Sequence, residues 1–244
     1  MIRILVISDV HANLTALEAV LADAGKVDEV WCLGDVVGYG PDPNECITLL
    51  RSQPKLTWMM GNHDFAAAGD LALEAFNLDA RKSLLWQREA LAKENLDFLA
   101  SRPIQAEKHD EVTLAHGSPR DPIWEYVLNT LVARINLGFF DTPWCFVGHS
   151  HFQVVFQYDK GEDDFTIQVP NPGETYELKE RAILNPGSVG QPRDRDPRAA
   201  YAIFQPKTRL WTPHRVEYDI KSVQKRILAA GLPPRHAERL AGGW

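Results

Sequence analysis

Three times within the first 64 residues an apolar run of strand length stops at an acidic or amide residue and gives way to a helical pattern or a turn. "IRILVIS", ending at Asp9, is rich in β-branched residues and shows no polar alternation, so it reads as a strand buried on both faces. "NLTALEAVLADAG" then sets Leu14, Leu17, Val20 and Leu21 along one helical stripe, with Asn13 as N-cap and Gly25 as stop. "VDEVWCLGD" and "PNECITLLRS" repeat the unit, and "LTWMMGNHD" supplies a third strand with a polar end. Successive units of this kind point to a layered α/β fold with functional residues at the carboxyl ends of its strands.

Residues 69–102 form a helical pattern with Leu84, Leu85, Leu91, Leu96, Phe98 and Leu99 among charges, which predicts an insert covering one side of those strand ends. "EVTLAHGSP" and "PWCFVGHSH" return to apolar strands, each ending in histidine. "FQVVFQY", "DFTIQVP", "RAILNPGSVGQP", "AAYAIFQP" and "HRVEYD" predict a second sheet of mainly antiparallel strands, and residues 219–243 predict two short helices around "GLPP". The apolar faces of the insert and of these last helices leave two uses open, internal packing or a contact between copies of the chain. With 244 residues, 45% of them hydrophobic and 24% charged, residues 1–244 read as one globular domain.

A net charge of -7 works against duplex nucleic acid or an anionic membrane surface as a partner. Cys32, Cys46 and Cys145 are far apart and form no C-x-x-C, so they read as buried apolar residues of a cytoplasmic protein, not as disulfides or zinc ligands. The first apolar run is too short for a membrane span or a signal segment. "GYGP" lacks the spacing and lysine of a phosphate-binding P-loop, and Ser118 and Ser188 lie outside any G-x-S-x-G. His109, His214 and His236 read as surface residues.

The remaining polar residues recur at strand ends: Asp9 and His11, Asp35, Asn62 with His63 and Asp64, His116, then His149 and His151. Two residues apart in an extended segment places side chains on one side, which lets Asp9 and His11 address one ion and brings His149 and His151 to the same cluster. Oxygen and imidazole donors without thiolate suit Mn, Fe, Ni or Zn better than Ca. Seven such donors exceed what one ion takes while keeping an open position, so two ions sharing a carboxylate fit better, and their charge would attract phosphate to an acidic protein.

"DVH", "GDVVGYG", "GNHD", "HG" and "GHSH", in this order, resemble the signature of the calcineurin-like metallophosphoesterase superfamily over essentially the whole chain. "NPGSVGQPRD", residues 185–194, is similar to a stretch of its small single-domain bacterial and archaeal phosphoesterases and phosphodiesterases. The resemblance implies a four-layer α/β/β/α sandwich of two mixed sheets flanked by helices, with a dinuclear metal site at the strand ends. It assigns Asp9, His11 and His151 to one metal and Asn62, His116 and His149 to the other, with Asp35 bridging two divalent ions, manganese favoured. It makes His63 the general acid or charge stabiliser at the leaving-group oxygen, and a metal-bridging hydroxide the nucleophile. The implied activity is hydrolysis of a phosphodiester or phosphomonoester in a small molecule or nucleotide.

Phosphoprotein phosphatases and diadenosine tetraphosphatases of that superfamily carry a pattern like Gly-Asp-x-x-Asp-Arg-Gly, and here Gly38 and Tyr39 stand where it has Asp and Arg. That works against protein phosphatase activity, keeps a phosphoprotein or diadenosine tetraphosphate phosphatase only as the alternative reading, and leaves Asp64 as the candidate to orient His63. Arg193, with Arg195 and Arg198 nearby, and Asn13 at a helix start are the candidate phosphate contacts, weighed against Asp194 and Asp196 pairing with the arginines and against simple capping by Asn13. A protein-interaction scaffold on the same fold would have lost several of the seven donors, and a nuclease would need a basic groove.

Overall fold

The structure is a computed structural model that describes residues 2–69, 73–178 and 181–244. The amino-terminal half runs β1 (Ile4–Ile7), α1 (Leu14–Ala24), β2 (Glu29–Cys32), α2 (Pro43–Arg51), β3 (Leu56–Trp58), α3 (Asn62–Ala68), α4 (Leu78–Ala90) and α5 (Lys93–Ala100). Then come β4 (Glu107–His109), β5 (Val112–Leu114), α6 (Thr130–Asn136), β6 (Trp144–Phe146), β7 (Gln153–Asp159) and β8 (Asp164–Gln168). The chain finishes with β9 (Tyr176–Glu177), β10 (Ala182–Pro186), β11 (Ala199–Gln205), β12 (Leu210–Val216), α7 (Ile220–Ala229) and α8 (Pro234–Gly242). The expected helical stretch contains a 3-10 turn at Leu73–Ala75, then α4 and α5; its residues 70–72 lie outside the described residues.

Among the described residues the strands form two six-stranded mixed sheets, ordered β3-β2-β1-β11-β12-β9 and β4-β5-β6-β10-β7-β8. Both faces of the central strands are buried, which is why their sequences do not alternate with polar residues. Leu5 and Ile7 face the core beneath the outer helices, whereas Ile4 and Val6 face the core between the sheets with Trp31, Phe146, Phe204 and Trp211. On the far side of the second sheet, Cys145, Phe156 and Ile183 pack with Ala133 of α6. The layers are therefore helix, sheet, sheet, helix.

The late strands do not form one second sheet. β7, β8 and β10 do lie there, but β11 pairs antiparallel with β1 and β12 with β11, so both belong to the first sheet. Tyr201 and Ile203 of β11 face one core and Ala202 and Phe204 the other, and a strand with two apolar faces needs a central position beside β1. Periodicity shows that demand without showing which sheet meets it. In turn β5 and β6 run parallel in the second sheet, so the strand ends that carry the polar residues come from both sheets.

The apolar faces of α7 and α8 are internal: Val223, Ile227, Leu232, Ala237 and Leu240 pack together, with Trp86 of α4 against them. Among the described residues no helix is long and apolar enough to cross a membrane. Helix α4 also clamps the "GYG" loop after β2. The Gly38 amide donates to Gln87 Oε1 at 2.7 Å, Gln87 Nε2 donates to the Gly40 carbonyl at 2.9 Å, and the Tyr39 amide reaches Ser83 Oγ at 3.4 Å. Gly40 has no alternative residue, because a Cβ there would collide with the carbonyls of His11 and Ala12.

Gln87→Ala strands two buried backbone groups and is expected to cost about 2–4 kcal/mol. Urea unfolding measures this, and a loss below about 0.5 kcal/mol would show that the loop does not depend on the clamp.

Candidate metal centre

The two sheets deliver five segments to one edge. Asp9 and His11 follow β1, Asp35 follows β2, Asn62 and His63 open α3 just beyond β3, His116 follows β5, and His149 and His151 follow β6. Each of these residues is at most 4% exposed.

The backbone that presents them is not extended. Asp9, His11, Asp35, His149 and His151 have φ between 48° and 62°, a left-handed conformation that costs about 1–3 kcal/mol at each non-glycine residue and clusters at functional sites. Lateral bonds hold it: the Asp9 amide donates to Gly34 O at 2.9 Å and the His11 amide to Asp35 O at 3.0 Å. These turns, not extended backbone, aim the side chains, keeping Asp9 and His11 in one group and sending His149 and His151 into adjoining groups of one cluster. His151 Nε2 lies 3.2 Å from both His11 Nε2 and Asp9 Oδ1. His149 Nδ1 lies 3.1 Å from His116 Nε2, which is 3.2 Å from Asn62 Oδ1. Asp35 Oδ2 stands between the groups, 3.8 Å from His11 Nε2 and 3.4 Å from His116 Nε2.

Hydrogen bonds at the other ring nitrogens set what these atoms are. Nδ1 of His11, His116 and His151 meets the carbonyls of Val37, Leu33 and Gln191 at 3.0, 2.9 and 2.6 Å. Carbonyls only accept, so each Nδ1 carries a proton, and in the neutral rings of His11 and His151 Nε2 presents a lone pair to the centre. Burial holds His11, His149 and His151 well below the usual histidine range, which keeps them neutral. Lone pairs on His11 and His151 then face each other, beside an Asp9 Oδ1 that receives no hydrogen bond. Such a constellation repels itself unless positive charge lies within it.

The remaining groups carry the same demand. Burial pushes Asp9 up to about 7. Burial would raise Asp35 too, but His116, His63 and His11 outweigh it and hold the carboxyl below the usual range; conversely Asp35 overcomes burial and lifts His116 to about 9. Donors bound about 2.1 Å from one ion at tetrahedral or octahedral angles stand about 3.0–3.4 Å apart. Most of the observed separations match, so the residues fit divalent metal ions, and three-residue groups Asp9/His11/His151 and Asp35/His116/His149 each gather their donor atoms within 4.8 Å.

Other expected residues are placed differently. Asp64 does not orient His63: its carboxylate accepts from the Val36 and Val37 amides at 2.9 and 3.0 Å and from Gly61 at 3.3 Å, stapling the loop after β2 to the start of α3. Adjacent residues on a helix diverge by about 100°, so the two side chains point apart. Instead His63 Nε2 meets the Tyr39 hydroxyl at 3.1 Å, and burial lowers the His63 imidazole to about 4. Asn13 is no phosphate contact, because its Oδ1 caps α1 at Ala16 and its Nδ2 donates to Gly190 O. Arg198 pairs with Asp196 and Arg215 with Asp194, whereas Arg193 turns towards the centre. Ser188 braces the Asp9 carbonyl and Ser118 a turn at Glu125.

A cavity of about 110 Å³ opens over the centre, lined by Asp35, Asn62, His63, His149, His151 and Arg193. Phe76, Trp124 and Tyr126 also line it, with Tyr126 stacked on His149 at 3.9 Å and 43% exposed. The aromatic residues of "PIWEY", shortly after His116, were the available signal for this rim. His236 had none: it is 2% exposed, with its ring 4.8 Å from that of Tyr39 and its Nε2 donating to Asp79 O at 3.2 Å, because α8 folds back against α4.

Comparison with known proteins identifies relatives of this arrangement. A family model described as the calcineurin-like phosphoesterase superfamily domain matches residues 2–209. The crystal structure of a metallophosphoesterase from Sphaerobacter thermophilus is similar with a TM-score of 0.90 and 48% identity, covering 100% of this chain and 99% of that one. An uncharacterised protein of Methanocaldococcus jannaschii is 40% identical over 97% of this chain and 96% of its own length. A symmetrical bis(5'-nucleosyl)-tetraphosphatase of Pectobacterium atrosepticum is 29% identical over 52% of this chain and 47% of its own length.

Adding Mn(II) to chelated protein is expected to raise its melting temperature progressively with concentration, as any ligand specific to the folded state does. In Asp35→Asn, which keeps the shape but loses the charge facing both groups, the shift should fall to less than half. An undiminished shift would remove Asp35 from the ion-binding set.

Proposed function

We propose, from the premise that this chain belongs to the calcineurin-like phosphoesterase superfamily, that it is a phosphate-ester hydrolase using two divalent ions on a small-molecule or nucleotide substrate. The observation that carries this reading is the pair of adjoining donor groups, Asp9/His11/His151 and Asp35/His116/His149, with Asp35 Oδ2 also 3.8 Å from His11 Nε2, beneath a cavity lined by His63 and Arg193. Asp9, His11 and His151 would hold one ion and Asn62, His116 and His149 the other, with Asp35 placed to serve both. When bound, the ions supply a positive field for phosphoryl oxygens and acidify coordinated water.

The chain's own groups do the rest. Arg193 donates to phosphoryl oxygens in the fork geometry that suits them. His63 is neutral near pH 7, given its lowered pKa, and lines the cavity beside the bound ester, on the side taken as that of the leaving group. Phe76, Trp124 and Tyr126 offer flat apolar surface at the mouth, which supports a substrate with a planar group such as a nucleobase. Manganese is the first ion to test, since the donors are oxygen and imidazole alone. Buried, unpaired Cys32, Cys46 and Cys145 support a cytoplasmic location.

The test reloads chelated protein separately with Mn, Ni, Fe and Zn. Each form is assayed on bis-p-nitrophenyl phosphate, p-nitrophenyl phosphate and diadenosine tetraphosphate, with metal content determined on the same samples. Metal-dependent turnover with about two ions bound is expected, and the preferred substrate assigns the bond type. Preference for diadenosine tetraphosphate would favour the activity named for the Pectobacterium relative, and fully loaded protein without turnover on any ester would count against catalysis. His63→Ala should keep its metal and lose about 10²–10⁴-fold in kcat; a loss of metal instead would make His63 a ligand.

A further inference from the structure

The loop that α4 clamps holds one side chain the hydrolytic reading has not used. Tyr39 is 7% exposed and has φ +58°, a conformation that a bulky residue adopts only where its surroundings impose it. Its ring is enclosed by those of His11, His63 and His236, with centroids 4.6, 4.4 and 4.8 Å away. It cannot swing aside, and its hydroxyl sits among the groups lining the cavity.

Counting donors and acceptors shows where that hydroxyl points. Arg193 Nη2 lies 3.4 Å from the Tyr39 oxygen, and a guanidinium only donates, so one lone pair is taken. His63 Nε2 lies 3.1 Å away and can either donate or accept. The other ring nitrogen decides between the two. His63 Nδ1 is buried without a partner and faces Gly38, where any Cβ would collide with the ring. A buried N–H with no acceptor is costlier than an unused lone pair, so the proton belongs on Nε2 and is donated to Tyr39. Both lone pairs of the phenol oxygen are then filled, and its own hydrogen is directed to whatever occupies the cavity.

We propose that Tyr39 is a substrate-contacting residue whose hydroxyl, with its oxygen held by His63 and Arg193, donates a hydrogen bond to a phosphoryl oxygen of the bound ester. This rests on the reading of the centre as a phosphoesterase site. Arg193 and Tyr39 thereby form one unit, a cation and a neutral donor from loops 154 residues apart in sequence. His63 is the group that fixes the direction of that donor.

Tyr39→Phe keeps the ring and its packing and removes only the hydroxyl. Manganese-loaded wild type and variant are compared for binding of inorganic phosphate by calorimetry, with metal content and melting temperature measured alongside. Equal metal content, equal melting temperature and phosphate binding at least about tenfold weaker in the variant are expected, the loss usual for a hydrogen bond to a charged group. Phosphate binding within twofold of wild type would overturn the proposal while leaving hydrolysis by the wild type untouched. Failure of metal-loaded wild type to bind phosphate would overturn the phosphoesterase reading and this proposal with it. A second measurement needs no variant: nitrogen NMR of zinc-loaded, histidine-labelled protein should show His63 as the Nε2–H tautomer, and an Nδ1–H tautomer would turn the phenol hydrogen back towards His63 and overturn the assignment.

Discussion

Lone pair facing lone pair in a desolvated crevice is the interaction that the rest of this structure is arranged to sustain. His11 and His151 present their Nε2 atoms to each other because backbone carbonyls have claimed the opposite nitrogens. The carbonyls belong to Val37 and Gln191, in loops that follow different strands, so the tautomers depend on both loops being in place. No single element could hold such mutually repelling groups. Two sheets can, because each contributes a few residues whose backbone is already committed to extensive cores on both sides.

Backbone strain is the second cost of the arrangement, and it falls at the same strand ends. Left-handed residues after β1, β2 and β6 turn the chain sharply enough to point several side chains into one small volume, which extended strands would spread along an edge. Further support comes from outside the sheets. Ser188 and Gly190 tie the loop after β10 to the Asp9 carbonyl, and Asn185 ties it to Gly148 and Ser150. Helix α4 grips the loop that carries Tyr39, and α8 closes behind that ring with His236. Residues 210–244 lie beyond the span of the family match, and α8 among them nevertheless contributes to the wall of the centre.

Local pattern made several of these features legible. The uninterrupted apolar runs before Asp9 and Asp35 exposed strands buried on both faces, and recurrent polar endings marked one edge as the place to look. Other features depended on contacts that local pattern does not encode. "GHSH" shows two imidazoles two apart, but the left-handed turns that divide them between two groups are imposed by the neighbouring loops. Asp64 and Asn13 look available for chemistry in the chain and are consumed by backbone amides and carbonyls in the fold. His236 looks like a surface residue because the burial of a short helix depends on what packs over it.

The sequence by itself determined the layered α/β class, the strand ends as the functional edge and the oxygen and imidazole character of the donors, since each follows from residue type and spacing along one segment. Only the tertiary structure decided that β11 and β12 join the first sheet, that left-handed turns instead of extended backbone aim His149 and His151, and that Tyr39 stands between His63 and Arg193. The physical reason is the same in each case. Hydrophobic periodicity records which faces must be buried, but the partner that buries a face, or completes a hydrogen bond, comes from segments far away in sequence and is chosen by the packing of the whole.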